Sequence, residues 1–312
     1  MKTILDTIVD VKRQEVAAAK SKIRYSDFEQ FDYFNRTCLS LKTELLKSNL
    51  GIIAELKRQS PSAGIINADL DIQKQGEYYE KSNVAGISCL TDSTFFGGNL
   101  DDLRLLRTSV NVPILRKEFI IDEFQIFEAK AYGADVILLI SEILSSEEIL
   151  HFTIIAQSLG MEVIVECNSK INLEKINDSV DIVGINNRDL HLQKTDIQTS
   201  RDLYKFIPHN AVCISESGIK SKDELFELDK IGFNGALIGE SILKSTDANF
   251  LAQLTNIKSA IDFFNGVCCG DMELVDYLRR YLLTGNIDDR SLHIGWGIGK
   301  NGKSSYINIL EA

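Results

Sequence analysis

Between residues 51 and 238 the chain alternates two patterns. Short apolar runs fall at 51–56, 84–90, 112–116, 135–140, 162–167, 182–185, 211–215 and 235–238, and each reads as a buried strand. Between them lie amphipathic or helix-forming stretches, among them 72–81, 100–107, 123–132, 146–159 and 222–230. Several open with helix-start residues, such as Ser145 ahead of Glu147 and Glu148, or Asp122-Glu123. Gly133, Gly160 and Gly232 close helices before the next strand. Alternation of this kind gives a parallel sheet. Eight units predict an α/β protein, a closed (β/α)8 barrel. An open doubly wound sheet has fewer strands and a Gly-rich first turn, whereas here the first loop reads KRQSPSAG. Ahead of the first strand, Ile4, Leu5, Ile8 and Val11 recur at helical spacing and predict an extra helix over 3–20. The stretch from there to about residue 48 reads as loose and polar.

Composition narrows the partners. A formal net charge of −11 excludes a general nucleic-acid binder, although it leaves room for a basic pocket taking a small phosphate ester. Six cysteines show no C-x-x-C pair; Cys89, Cys167 and Cys213 sit in apolar runs and are expected as buried thiols. Asp6 and Asp10 come too early for a signal peptide, and no apolar run is long enough to span a bilayer. A cytoplasmic location is expected.

In such a barrel the chemistry collects where strands end. The first end carries Glu55 and Lys57, two residues apart and therefore on one face of the strand. They read either as an ion pair in the barrel mouth or as a surface salt bridge. The third end carries Lys117, the fifth Glu166, the sixth Asn186 and Arg188, the seventh Glu216-Ser217-Gly218 and the eighth Gly239-Glu240-Ser241. Small residues after the last two strands suit backbone N–H contacts to a phosphate, with the Ser60 hydroxyl as a further donor; the alternative is two ordinary turns. A lysine in an apolar wall has a lowered pKa and can act as a general acid, and a facing glutamate can take a proton. His151, His191 and His209 lie away from the strand ends, so no metal and no Ser-His-Asp chemistry is expected. With no dinucleotide fingerprint, a cofactor-free lyase or isomerase working on a sugar phosphate remains.

The stretches IAELKRQSPSAG, ILRKEFIID, VIVECN, VGINNRDL, ISESGI and ALIGESIL, in this order, resemble the indole-3-glycerol-phosphate synthases over residues 1–265. The resemblance implies ring closure, decarboxylation and dehydration of 1-(2-carboxyphenylamino)-1-deoxyribulose 5-phosphate. It implies Lys117 as general acid and Glu166 as acid or base in the dehydration. Lys57 would hold the substrate carboxylate and be the other candidate acid. Glu55 and Asn186 would position Lys117 and the sugar hydroxyls. Glu216, Ser217 and Arg188 would contact substrate, Phe96 and Phe119 would wall the aromatic ring, and Ser60, Gly218, Gly239 and Glu240 would bind phosphate. A monomer or weak oligomer is implied, with contacts to other tryptophan-pathway enzymes.

Residues 266–312 differ in character. GIGKNGKS at 297–304 is a full phosphate-loop motif, with Gly297, Gly302, Lys303 and Ser304 in its key positions. It follows an apolar run and precedes a helix-like SSYINIL, and it resembles the start of the ATPase core of phage and plasmid superfamily 3 helicases. The chain stops shortly afterwards, without a second strand carrying a magnesium-holding acid. A silent appended fragment is expected.

Overall fold

A computed structural model describes residues 2–47, 50–189, 194–208, 211–245, 247, 249–255, 291–297 and 304–310. His191, His209, Cys268, Cys269, Gly302 and Lys303 lie outside the described residues. The chain divides into two compact units, Met1–Lys258 and Ser259–Ala312.

The first unit is the expected closed barrel. Its strands are β1 (Gly51–Leu56), β2 (Gly86–Leu90), β3 (Ile114–Lys117), β4 (Val136–Ile140), β5 (Glu162–Cys167), β6 (Ile182–Asn186), β7 (Val212–Glu216) and β8 (Gly235–Ile238). Each pairs in parallel with its sequence neighbours, and β1 closes the ring on β8, with Gly51 opposite Gly235. Strands covered on both faces need apolar residues throughout, which is why they read as continuous runs. The helices carry the caps that the sequence announces. Ser145 and Glu148 form a capping box on the helix Ser146–Ser158, and Gly133, Gly160 and Gly232 all adopt positive φ. Cys89, Cys167 and Cys213 are buried free thiols, and burial pushes the Cys167 thiol up to about 12. Among the described residues no helix is long and apolar enough to cross a membrane.

The expectation of a loose polar segment ahead of β1 is wrong. After the helix α1 (Ile4–Lys20) come two short helices, α2 (Tyr25–Phe28) and α3 (Leu41–Leu46). Phe28 is fully buried among Phe31, Phe34, Phe124 and Phe127. Asp135, at the start of β4 and fully buried, accepts from Arg36 at 2.5 Å, Arg107 at 2.9 Å and the Leu39 N–H at 2.7 Å. That anchors the segment to the end of the barrel where the strands start. There α3 seals the interior with Leu41 and Leu45. Three strand-start glycines make room for it: a Cβ on Gly51 or Gly235 would lie 2.8 or 2.5 Å from Leu45 Cδ2, and one on Gly86 2.7 Å from Leu41 Cδ1.

In the second unit the described residues are two strands, β9 (Ser291–Gly297) and β10 (Ser304–Leu310), paired antiparallel with Gly297 opposite Ser304. The helix expected after Ser304 is therefore a strand. Tyr306, Ile307 and Ile309 are β-formers, and that preference outweighs the helical reading of a short apolar stretch.

Two glycines line part of its socket, so loss of the Leu45 side chain leaves a cavity against the strand starts. Leu45→Ala is expected to lower unfolding stability by about 2–5 kcal/mol, read from the denaturant midpoint. A loss under about 1 kcal/mol would show that α3 is not the seal.

Candidate active site

The two-residue period of the strands builds the site. Ile53, Leu115, Ile164, Ile214 and Leu237 belong to the packed core. Two residues further along the same strands, on the same face, stand Glu55, Lys117, Glu166, Glu216 and Gly239. Asn186 follows Ile182 by two such steps. The polar set is thus the layer directly above the apolar filling, at the end where the strands finish.

These groups converge. Lys117 Nζ donates to Glu166 Oε2 at 3.2 Å and to Glu216 Oε2. Asn186 Nδ2 donates to Glu166 Oε1 at 2.8 Å, and Lys57 Nζ to Glu55 Oε1 at 2.6 Å. Glu55 and Lys57 are largely buried, so the surface salt bridge is excluded. Two glycines give the carboxylates room: a Cβ on Gly184 would lie 2.2 Å from Glu216 Oε1, and one on Gly239 2.7 Å from Glu55 Oε1.

A cavity of about 530 Å³ opens over this layer, lined by Glu55, Lys57, Ser60, Phe96, Lys117, Phe119, Glu166, Asn186, Arg188, Ser217, Gly218, Gly239 and Glu240. Glu216 alone of the expected barrel residues is not on its surface; it lies beneath, against Lys117. Phe96 and Phe119, from the ends of β2 and β3, stand with ring centroids 6.0 Å apart. The strand order sets them across the mouth from the turns after β7 and β8. In the first of those turns Ser217 and Gly218 both have positive φ, a conformation costly for serine and typical of a functional turn. Ser60 Oγ accepts from the Ala63 N–H at 3.1 Å and lies 3.4 Å from Ser62 Oγ. Arg188 ties the β6 loop to the β1 loop through Ser62 Oγ at 2.6 Å.

The electrostatics correct one expectation. Lys117 is not depressed: burial pulls its pKa down, but Glu216, Glu166 and Glu55 outweigh burial and raise it well above the usual range. The lysine is a fully loaded ammonium. Burial pushes Glu55 up, yet Lys57 and Lys117 win and hold it below the usual carboxylate range. Glu216 goes the other way. Burial, opposed by Lys117 and aided by Glu166, pushes it up to about 7. Two carboxylates share one ammonium, and Glu216 is the more deeply buried of the two.

Sequence reasoning missed Lys220 and Lys244, which also line the cavity. Lys244 pairs with Glu240 at 2.7 Å, a spacing of four residues on one helix that the sequence does display. Among the described residues no three His, Cys, Asp or Glu side chains are grouped to hold a metal ion. Gly297 and Ser304 lie in the second unit, facing each other across two antiparallel strands.

The sequence matches the family model described as "Indole-3-glycerol phosphate synthase" over residues 5–254. The indole-3-glycerol phosphate synthase of Carboxydothermus hydrogenoformans is 40% identical over 252 residues, covering 78% of this chain and 96% of that protein. That of Bacteroides thetaiotaomicron is 41% identical over 245 residues, covering 78% and 94%. A solved tryptophan synthase alpha-subunit from Pyrococcus furiosus aligns with a TM-score of 0.49 at 17% identity, over 67% of this chain and 97% of that one.

Glu216 keeps its proton up to about pH 7 in the folded protein, whereas an unfolded carboxyl releases it near 4.5. Between those values the folded state binds more protons, so this group's contribution to stability is lost as pH rises. Glu216→Gln, neutral throughout, escapes that loss. The melting temperature of the variant relative to wild type is expected to climb from pH 5 to pH 8; a pH-independent difference contradicts the raised pKa.

Proposed function

The chain belongs to the indole-3-glycerol phosphate synthase family, and from that premise we propose how its barrel mouth carries the reaction. The substrate is 1-(2-carboxyphenylamino)-1-deoxyribulose 5-phosphate. Its ring closes onto the sugar carbonyl, carbon dioxide leaves and then water leaves, giving indole-3-glycerol phosphate; the enzyme is a carboxy-lyase. The observation that carries the assignment is one loaded ammonium, Lys117, held at the cavity floor by carboxylates from two other strands.

Lys117 protonates the carbonyl oxygen as the new carbon–carbon bond forms. Surrounded by carboxylates it is a weak acid in the resting site, and the proton on Glu216 weakens that restraint. After transfer, Glu216 is in direct contact to reload it. Glu166, oriented by Asn186, moves the proton in the dehydration, with Lys57 as the second candidate. Lys57 and Arg188 meet the substrate carboxylate, and Glu55 keeps Lys57 and Lys117 in place. Phe96 and Phe119 receive the aromatic ring. Ser60 and Ser217, with the backbone at Gly218, Gly239 and Glu240, take the phosphate. Every group comes from one chain, which suits a monomer or weak oligomer; contacts with other tryptophan-pathway enzymes would use the outer surface. A phosphate ester does not cross membranes, so this reading puts the enzyme in the cytoplasm.

Residues 266–312 are proposed to be an appended segment rather than an independent domain, with no part in the reaction. Against the runner-up reading, a nucleotide-hydrolysing P-loop on Gly297, Gly302, Lys303 and Ser304, stands the strand that follows Ser304, paired antiparallel among the described residues where such a loop is followed by a helix.

Indole fluorescence during incubation with the substrate and EDTA should report turnover. Lys117→Ala and Glu166→Gln should each cost on the order of 10²-fold or more. A near wild-type rate for Lys117→Ala would refute the assigned acid. A chain ending at Asn265 should turn over within about twofold of the full one. Micromolar ATP binding abolished by Lys303→Ala would establish the runner-up reading for the tail.

A further inference from the structure

Beside the cavity, whose lining includes Glu118, a heavily charged buried cluster centres on a lysine of the extra N-terminal helix. Lys12, on α1, is only 4% exposed. Its ammonium lies 2.6 Å from Glu15 Oε2, 3.0 Å from Asp92 Oδ2 and 3.0 Å from Glu118 Oε1. Asp92 is fully buried and Glu118 nearly so. Asp92 Oδ2 accepts no hydrogen bond elsewhere, so the Lys12 ammonium is what answers it.

Those two carboxylates hold the aromatic wall. Asp92 Oδ1 accepts from the N–H groups of Phe95 at 2.7 Å and Phe96 at 3.2 Å, which caps the short turn carrying Phe96. Glu118 Oε1 accepts from the Phe119 N–H at 2.9 Å, and Glu118 is the residue after Lys117. Its Oε2 accepts from Thr91 Oγ1 at 2.8 Å. One cation on α1 thus sits between the carboxylate that sets Phe96 and the one that sets Phe119.

We propose that Lys12 is a positioning residue for the aryl subsite, the counter-ion that keeps Asp92 and Glu118 side by side and so fixes the Phe96–Phe119 wall. The proposal rests on assigning that wall to the substrate's aromatic ring. Without Lys12, two buried carboxylates face each other. The other charges around them are Glu15 on α1 and Arg116 on β3, 3.7 Å from Glu118 Oε2 and itself committed to Glu128 at 2.7 Å. Like charges so placed either separate or share a proton. Separation shifts the caps of both phenylalanines. Proton capture restores the geometry at low pH.

Three forms of the full chain test this by KM and kcat from pH 5.5 to 8.5, with circular dichroism as the check on folding. Lys12→Met is expected to raise KM by about tenfold at pH 8, well beyond any drop in kcat, with KM returning toward the wild-type value at low pH. Lys12→Met/Glu118→Gln removes one charge of each sign and keeps an acceptor for the Phe119 N–H. It is expected to restore a KM within about threefold of wild type and to abolish the pH dependence. If Lys12 merely docked α1, its loss would lower the melting temperature without a selective, pH-dependent rise in KM. The inference is overturned if Lys12→Met folds with unchanged KM. It is equally overturned if the double variant folds and keeps the high KM, and that result decides the matter should Lys12→Met alone fail to fold. Phe96→Ala and Phe119→Ala, run alongside, separate the premise from the inference: a KM unchanged in both would remove the aryl wall itself.

Discussion

Burying an ammonium among carboxylates is costly unless geometry and charge are matched, and the barrel mouth is organised around meeting that condition. Lys117 projects from β3 into a ring of eight strands and meets carboxylates from β5 and β7. The match holds only because neighbouring strands give up side chains. Gly184 on β6 leaves the space that the Glu216 carboxylate occupies, and Gly239 after β8 leaves that of Glu55. The imbalance that remains, two carboxylates on one ammonium, appears in Glu216, whose pKa is pushed up to about 7. A structure built only for stability would have filled these positions with apolar side chains.

Below that layer the barrel is filled with apolar side chains, and the rigidity of the floor is what lets the polar layer hold its distances. Sealing falls to α3, whose leucines reach the strand-start glycines. The segment before it is fastened by Asp135, whose four hydrogen bonds come from Arg36, Arg107 and two backbone N–H groups. The extra helix α1 then reaches the opposite end, where Lys12 meets the ends of β2 and β3. The N-terminal forty-odd residues therefore brace both ends of the barrel.

That bracing is also where sequence reading stopped. The barrel was legible because strands buried on both faces give apolar runs, and the candidate site was legible because four of those runs break into charge at the same phase, at Glu55, Lys117, Glu166 and Glu216. Glu55, Lys117 and Glu166 each sit two residues beyond a core residue, and period two is visible in one dimension. Phe28, Leu41 and Leu45 are not readable in that way. They lie in helices of four and six residues, too short to show a period, and their partners are far along the chain. Lys12 reads as an ordinary polar position on an amphipathic helix until Asp92 and Glu118 are brought to it. The sign of the Lys117 shift was misread for the same reason. Its own strand offers apolar neighbours, while the carboxylates that raise it come from elsewhere.

Among the described residues, the second unit shows the two ends of a phosphate-loop motif on an antiparallel strand pair. A phosphate loop works because a parallel sheet and a following helix hold its backbone N–H groups in one concave arrangement before the ligand arrives. Here Ser304–Leu310 form a strand paired antiparallel with Ser291–Gly297, with Gly297 opposite Ser304. Holding a Gly-rich loop in the cradle shape costs about 1–2 kcal/mol per residue in backbone entropy. In the barrel the corresponding cost is met during folding, since the turns after β7 and β8 leave strands fixed on both sides. On the proposed function, a small-residue turn serves as a phosphate cradle where folding has already ordered the strand that leads into it.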